Sequence, residues 1–306
     1  MTHSYLSIAG LILKGVLAGI LYILGSILFG MIDGALHLGF PTLIPPGVNP
    51  QAAFRAYLLV CPLIGLALVP LALHTAGPRL IRGLLLFLLL FISLGSNTAI
   101  EMRMFTTFLT HGGALVFVAS TILPALLCGL GLSYLLKPEP AEPSLTGRIR
   151  SFFAAHSPAF WVGRFVLAII LFVVIFFMFG MMVAPIVVPT YRAGAFGLTL
   201  PPVSAFLPVE LIRSAFFLLA CFPFVLLWKA SRGSLIFSLG LAFWMLNGLG
   251  GLLQVFWFPP AMRIAHSLET GADGFAYAAL LVFLFLPRPS QNPVPTSAHS
   301  APVFPS

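Results

Sequence analysis

Eight stretches of this chain are each long and apolar enough to cross a lipid bilayer, and that recurrence limits the fold more than any motif does. A bilayer core about 30 Å thick takes about 20 helical residues per crossing. The windows 7–31, 56–76, 83–101, 112–136, 165–188, 209–228, 234–257 and 262–286 meet this requirement. Water is a poor solvent for such a chain: 7% of its residues are charged, against roughly 25% in soluble domains. Mean hydropathy is +1.09. Within lipid every backbone group must be hydrogen-bonded internally, which leaves helices or closed barrels. Barrel strands alternate apolar and polar residues, and runs such as Gly83 to Ser93 do not. The expectation is an all-α integral membrane fold of about eight transmembrane helices, with the bilayer as its first partner.

Two windows need separate comment. The first is too long for a signal-peptide core of roughly 7 to 15 residues, so it is expected to remain as a span. The last carries Arg263, His266, Glu269 and Asp273 in its first half, and only Gly274 to Leu286 is continuously apolar. It reads as a short span preceded by an interfacial helix.

Laying the chain on itself with a shift of 150 positions reveals an internal repeat. Lys14 meets Arg164, Val16-Leu17-Ala18 meets Val166-Leu167-Ala168, and Phe29-Gly30-Met31 meets Phe179-Gly180-Met181. Arg79 and Arg82 meet Lys229 and Arg232, and Asn97 meets Asn247. Apolar coincidences are cheap in such a composition, but recurring polar positions are not. After the first span of each half come Pro45-Pro46 and Pro201-Pro202, then Arg55 and Arg213 near the next span. These matches predict a tandem 4+4 repeat, an architecture common among membrane transporters. The first four-helix unit covers 1–137, a polar linker 138–161, the second unit 162–288, and a disordered Pro- and Ser-rich tail 289–306. Because each half has an even number of spans, the copies share one orientation about an axis along the membrane normal.

The formal charge of +8 does not point to nucleic acid, because the Lys and Arg residues are scattered in ones and twos. They fit membrane orientation better. With the N-terminus inside, Lys14, Arg79, Arg82, Lys137, Arg148, Arg150, Arg164, Lys229, Arg232 and Arg288 are cytoplasmic, and Arg55, Arg103, Arg192, Arg213 and Arg263 are external. Ten against five places both termini and the linker in the cytoplasm of a cell membrane protein. Cys61, Cys128 and Cys221 all fall in apolar windows with no paired spacing, as packing residues do.

Ionisable and amide groups within spans are the candidates for chemistry, because they are costly in lipid. Ser93, Asn97 and Glu101 are spaced four apart and share a helix face; Asn247, Gly251 and Gln254 form a similar face in the seventh span. A substrate path would use Asn97, Glu101, Asn247 and Gln254, with Arg55 and Arg213 at its mouth. The plainer reading of the two stripes is interhelical hydrogen bonding. Asp33 and His37, with Glu101 and His111, supply oxygen and imidazole of the kind that holds zinc or iron, but without any recognised ligand spacing. His266, Glu269 and Asp273 would face one another in turn if their stretch is helical. Gly15, Gly19, Ser26, Gly30 and Gly34 line one side of the first helix, a surface for close packing or for a second copy.

No phosphate-cradling loop, nucleophile elbow or dinucleotide fingerprint occurs, so a catalytic role and a cofactor are not expected. The best reading is a small-solute permease or the membrane subunit of a transport system. Two alternatives stand beside it. One is a membrane-embedded metal-dependent enzyme or redox protein using the Asp33 group; the other is a non-catalytic scaffold, either self-associating or joined to a membrane complex.

Overall fold

The computed structural model of the protein describes residues 2–45, 47–136 and 145–286. Within them are eight helices long and apolar enough to cross a membrane. We number these α1 (Thr2–Leu36), α2 (Pro50–His74), α3 (Arg79–Phe105), α4 (His111–Leu135), α5 (Pro158–Arg192), α6 (Val203–Leu227), α7 (Arg232–Gln254) and α8 (Pro260–Phe285). A short amphipathic helix, Leu145–Ala154, precedes α5. The all-helical membrane architecture is as the composition requires. The proposed tail, Arg288, Lys137 and most of the polar part of the linker lie outside the described residues.

Helix ends follow local chemistry. Asn49 caps α2, its side chain accepting from the N–H groups of Gln51 and Ala52, with Pro50 at the first helical position. Ser157 and Pro158 start α5 in the same way, and Ser231 starts α7. Such caps satisfy N–H groups that the helix itself leaves open. At the linker end, arginines serve the free carbonyls. Arg82 donates to Ala72 at 3.1 Å, Arg232 to Leu286 at 2.9 Å, and Arg148 to Leu226 and Trp228 at 3.3 and 2.5 Å. Cations favour that end of a helix dipole.

The last span corrects the expectation of a short helix with an interfacial lead. Pro260 to Phe285 is one continuous helix, and Glu269 and Asp273 are buried within it. Polar residues in its first half face protein, so a hydropathy window undervalues the segment.

α1 packs on α2 and α4, and α3 packs on α4; correspondingly, α5 packs on α6 and α8, and α7 packs on α8. Between these groups, α2 meets α7 and α3 meets α6. The turns after α2 and α6 are joined by hydrogen bonds from Ala76 to Leu227 at 2.8 Å and from Lys229 to His74 at 3.0 Å. The seam is therefore closed at its linker end by backbone, and His74 adds an edge contact to Trp228 with ring centroids 5.4 Å apart.

The helix interfaces differ in character. Gly19 lies so close to α2 that a Cβ would stand 2.3 Å from the Cys61 carbonyl oxygen, and one on Gly65 would stand 2.0 Å from that of Gly15. Glycine permits this approach. Gly30 and Gly34, expected on the same stripe, meet nothing within 4 Å. In the second group, rings fill the core: Phe172 contacts Tyr277 and Phe217 at centroid distances of 4.8 and 5.3 Å, and Phe217 contacts Phe243 at 5.1 Å.

Candidate functional site

Two helices depart from α geometry at related places. α3 passes through a π segment at Phe91–Asn97, and α7 through one at Trp244–Leu249. A π turn inserts a residue, shifts the facing side chains and frequently marks a functional site. The two π segments touch across the seam, and Asn97 donates its amide to Asn247 at a long 3.4 Å. Asn247 also donates to the Phe243 carbonyl at 3.2 Å.

Arg213 of α6 lies at the centre of this region, 4% exposed. Its Nε donates to Asn97 Oδ1 at 2.7 Å. Its two terminal nitrogens pair with Glu210 on its own helix and Glu101 on α3. The guanidinium also lies over the Phe176 ring of α5, 5.3 Å from the centroid. A planar fork with five donors suits such divided recognition, where an ammonium would not. Glu210 is fully buried and its Oε2 has no hydrogen-bond partner. The Glu101 side chain is 39% exposed, so the pair joins a sheltered carboxylate to an accessible one.

α8 contributes the rest. His266 Nδ1 is 2.6 Å from Glu269 Oε2, the pairing expected for residues three apart on a helix. Tyr191 of α5 places its hydroxyl 3.3 Å from His266 Nε2. Gly180 of α5 stands opposite Glu269, where a Cβ would come 3.1 Å from Oε1. Asp273 is 7% exposed, with Oδ1 unpartnered and Arg213, Glu210, Glu101 and Glu269 in electrostatic range. Four carboxylates thus gather around one guanidinium and one imidazole, inside segments that have the length and composition of membrane spans.

Of the residues expected from sequence, Asn97, Glu101, Asn247 and Arg213 come together. Gln254 is half-buried at the end of α7 with no hydrogen bond to the cluster. Arg55 is exposed on α2, beside Pro50, Gln51 and Phe54, away from Arg213. Arg213, expected among the external cations at the mouth of a path, is instead buried within the bundle.

The candidate metal group does not assemble. Asp33 accepts from the Phe40 N–H at 3.2 Å, His37 is exposed at φ 51°, Glu101 pairs with Arg213, and His111 contacts Arg103 at 3.0 Å. Among the described residues no three His, Cys, Asp or Glu side chains are grouped to hold a metal ion. Glu210, Phe176 and Tyr191 are not singled out by the sequence. The Glu210-x-x-Arg213 spacing inside an apolar window was the available signal for the first of them.

A cavity of about 560 Å³ lies at the opposite end of the bundle, lined by Arg148, Trp161, Arg164 and neighbours, remote from the charge cluster. Compared with models of protein families, with curated proteins and with solved structures, the chain matches none.

Proposed function

We propose that the protein is a membrane transporter, a small-solute permease or the membrane subunit of a transport system, whose path runs past Arg213, Asn97, Glu101 and Asn247. The observation that carries this reading is the fully sheltered Arg213, held by two carboxylates and an amide drawn from two helices at the seam. Charges within membrane spans are rare and expensive, and they usually mark ion or substrate pathways. A helix bundle needing only adhesion has a cheaper means in its close glycine contacts.

The 4+4 duplication forms part of the same proposal. Supporting it are the corresponding helix pairings, the backbone link between the turns after α2 and α6, the two π segments, and the contact between Asn97 and Asn247, separated by 150 positions. Transporters built from repeats place their sites at the repeat interface, near irregular helix segments. Cytoplasmic termini complete the proposal. The three native cysteines are buried, so Thr42→Cys should label from outside the cell and Ser144→Cys only from inside.

Purified protein in proteoliposomes tests the function. Labelled amino acids, polyamines, carboxylic acids and monosaccharides are offered under imposed pH and voltage gradients. Saturable uptake of one class, lost in Glu101→Gln, is expected. No saturable flux for any class, with a partner protein co-purifying from native membranes, would replace transport by a scaffold role.

A further inference from the structure

We propose that α8 conducts protons from the end of the bundle opposite the linker to Asp273, a proton site that rests on the transport reading above and would serve it as the place where a coupling proton is held. His266, Glu269, Asp273 and Tyr277 follow one another at spacings of three, four and four, so they form a ladder on one helix face. Only the first rung is open: the His266 side chain is 41% exposed, whereas Glu269, Asp273 and Tyr277 are all buried, at 6%, 7% and 0% exposure. The ladder begins at the partly exposed imidazole, near the end of the helix opposite the linker, and ends in the ring cluster of the core.

Two observations point to a proton, the first of them independent of the cluster's acidity. Glu210 Oε2 and Asp273 Oδ1 are sheltered oxygens with no partner, as is the Tyr277 hydroxyl. An ionised carboxylate with an empty oxygen in an apolar setting is heavily penalised, and protonation removes the penalty. The carboxylates also exceed the cations available to them. Arg213 of α6 already serves Glu210 and Glu101 of α3, α5 presents the neutral Tyr191, and α7 presents neutral Trp244 and Asn247. Cys221 of α6 lies deeper, beside Tyr277. On α8 itself, Arg263 is bound to the Leu252 and Phe256 carbonyls at 3.0 and 3.1 Å. A metal ion is the poorer occupant, given the lack of grouped ligands among the described residues.

The transfer balances without another reactant. His266 accepts a proton at Nε2 and releases the one on Nδ1 to Glu269 Oε2, 2.6 Å away. Glu269, given space by Gly180, passes it one turn along to Asp273 Oδ1 by side-chain rotation or one bridging water. The imidazole is left protonated on Nε2, and before the next transfer it must lose that proton to solvent and take one up at Nδ1 from solvent after the ring turns away from Glu269.

Infrared spectroscopy of the protein in nanodiscs tests this without any solute. The chain has two aspartates, Asp33 and Asp273, so in Asp33→Asn protein isotope-labelled aspartate reports on Asp273 alone. A protonated-carboxyl band that moves with the label at neutral pH is expected, and Glu269→Gln should slow its exchange with deuterium by roughly 100-fold. No labelled acid band at any pH at which the protein remains helical would overturn the proposal. So would a band abolished by sodium ions at fixed pH, or exchange unchanged in Glu269→Gln. If the band and its exchange behave as expected while the flux assay finds nothing, the proton site stands and the transport reading fails.

Discussion

α1–α4 and α5–α8 solve the same packing problem with different chemistry. In the first group the helices touch backbone to backbone at Gly19, Gly65 and Gly129, and Gly25 sits 2.5 Å, by its notional Cβ, from the Pro124 α-carbon. In the second, glycines face side chains instead: Gly240 meets Phe275, Gly271 meets Trp244, and Gly180 meets Glu269. Rings and charges occupy the space. Positions of α4 that correspond by the 150 shift to His266, Glu269 and Asp273 are Val116, Ala119 and Leu123. Close glycine packing without charge suits a fixed frame, whereas an interface of rotatable side chains and ion pairs can change state. Under the transport proposal the first group would be the frame and the second the working surface, with α3 lending Asn97 and Glu101 across the seam.

The largest effect should come from Arg213. Replacing it with Met strands Glu210 in the interior, and breaking a buried pair typically costs about 3–5 kcal/mol. Thermal unfolding in detergent should show a large loss, with much reduced yield. Equal stability of wild type and variant would mean that the guanidinium is not held as described.

Next comes the glycine frame. Gly65→Val forces side-chain atoms into the α1 backbone and should cost about 1–3 kcal/mol as overpacking does. Gly163→Ala, where nothing lies within 4 Å, should be nearly silent in the same assay. Similar losses at both positions would show that the close approach of α1 and α2 at Gly65 is not what its lack of a side chain serves.

Smaller effects separate the two asparagines. Hydrogen bonds between membrane helices average about 0.6 kcal/mol, so Asn247→Ala should cost about that much. Asn97→Ala also removes the acceptor of Arg213 Nε and should cost about 1–3 kcal/mol, the usual penalty for an unsatisfied buried group. Equal losses would show that the amides serve only each other. Smallest of all, Arg55→Ala should change stability by no more than about 0.5 kcal/mol, as exposed substitutions do.

The sequence made the helical membrane class legible because lipid leaves the backbone few solutions. It also singles out Asn97 and Asn247, since a polar residue recurring at a fixed shift has few reasons to exist in an apolar chain, but that the two touch cannot be read from the shift. The His266 and Glu269 contact followed from helical spacing. Arg213 was misjudged for a physical reason: near a span end, a cation that snorkels to water and one that pairs inward have the same local sequence. The π segments were hidden as well, because Phe91–Asn97 and Trp244–Leu249 have ordinary helix-compatible residues and the insertion arises from packing. The last helix was divided on hydropathy alone, which does not register that Glu269 and Asp273 turn toward partners.

The central claim is that the charges at the seam are there for transport and not for cohesion. Replacing Glu101, Glu210 and Arg213 together by Met removes every charge of the ion-paired group, an exchange that is often neutral or stabilising, and leaves only the Asn97 amide oxygen without its donor, at a cost of about 1–3 kcal/mol. The direct measurement is solute flux in proteoliposomes of this triple variant beside wild type, with thermal unfolding recorded on the same samples. The account predicts a folded protein, far more stable than Arg213→Met alone, whose saturable flux is abolished. A folded triple variant that transports as wild type does would contradict it.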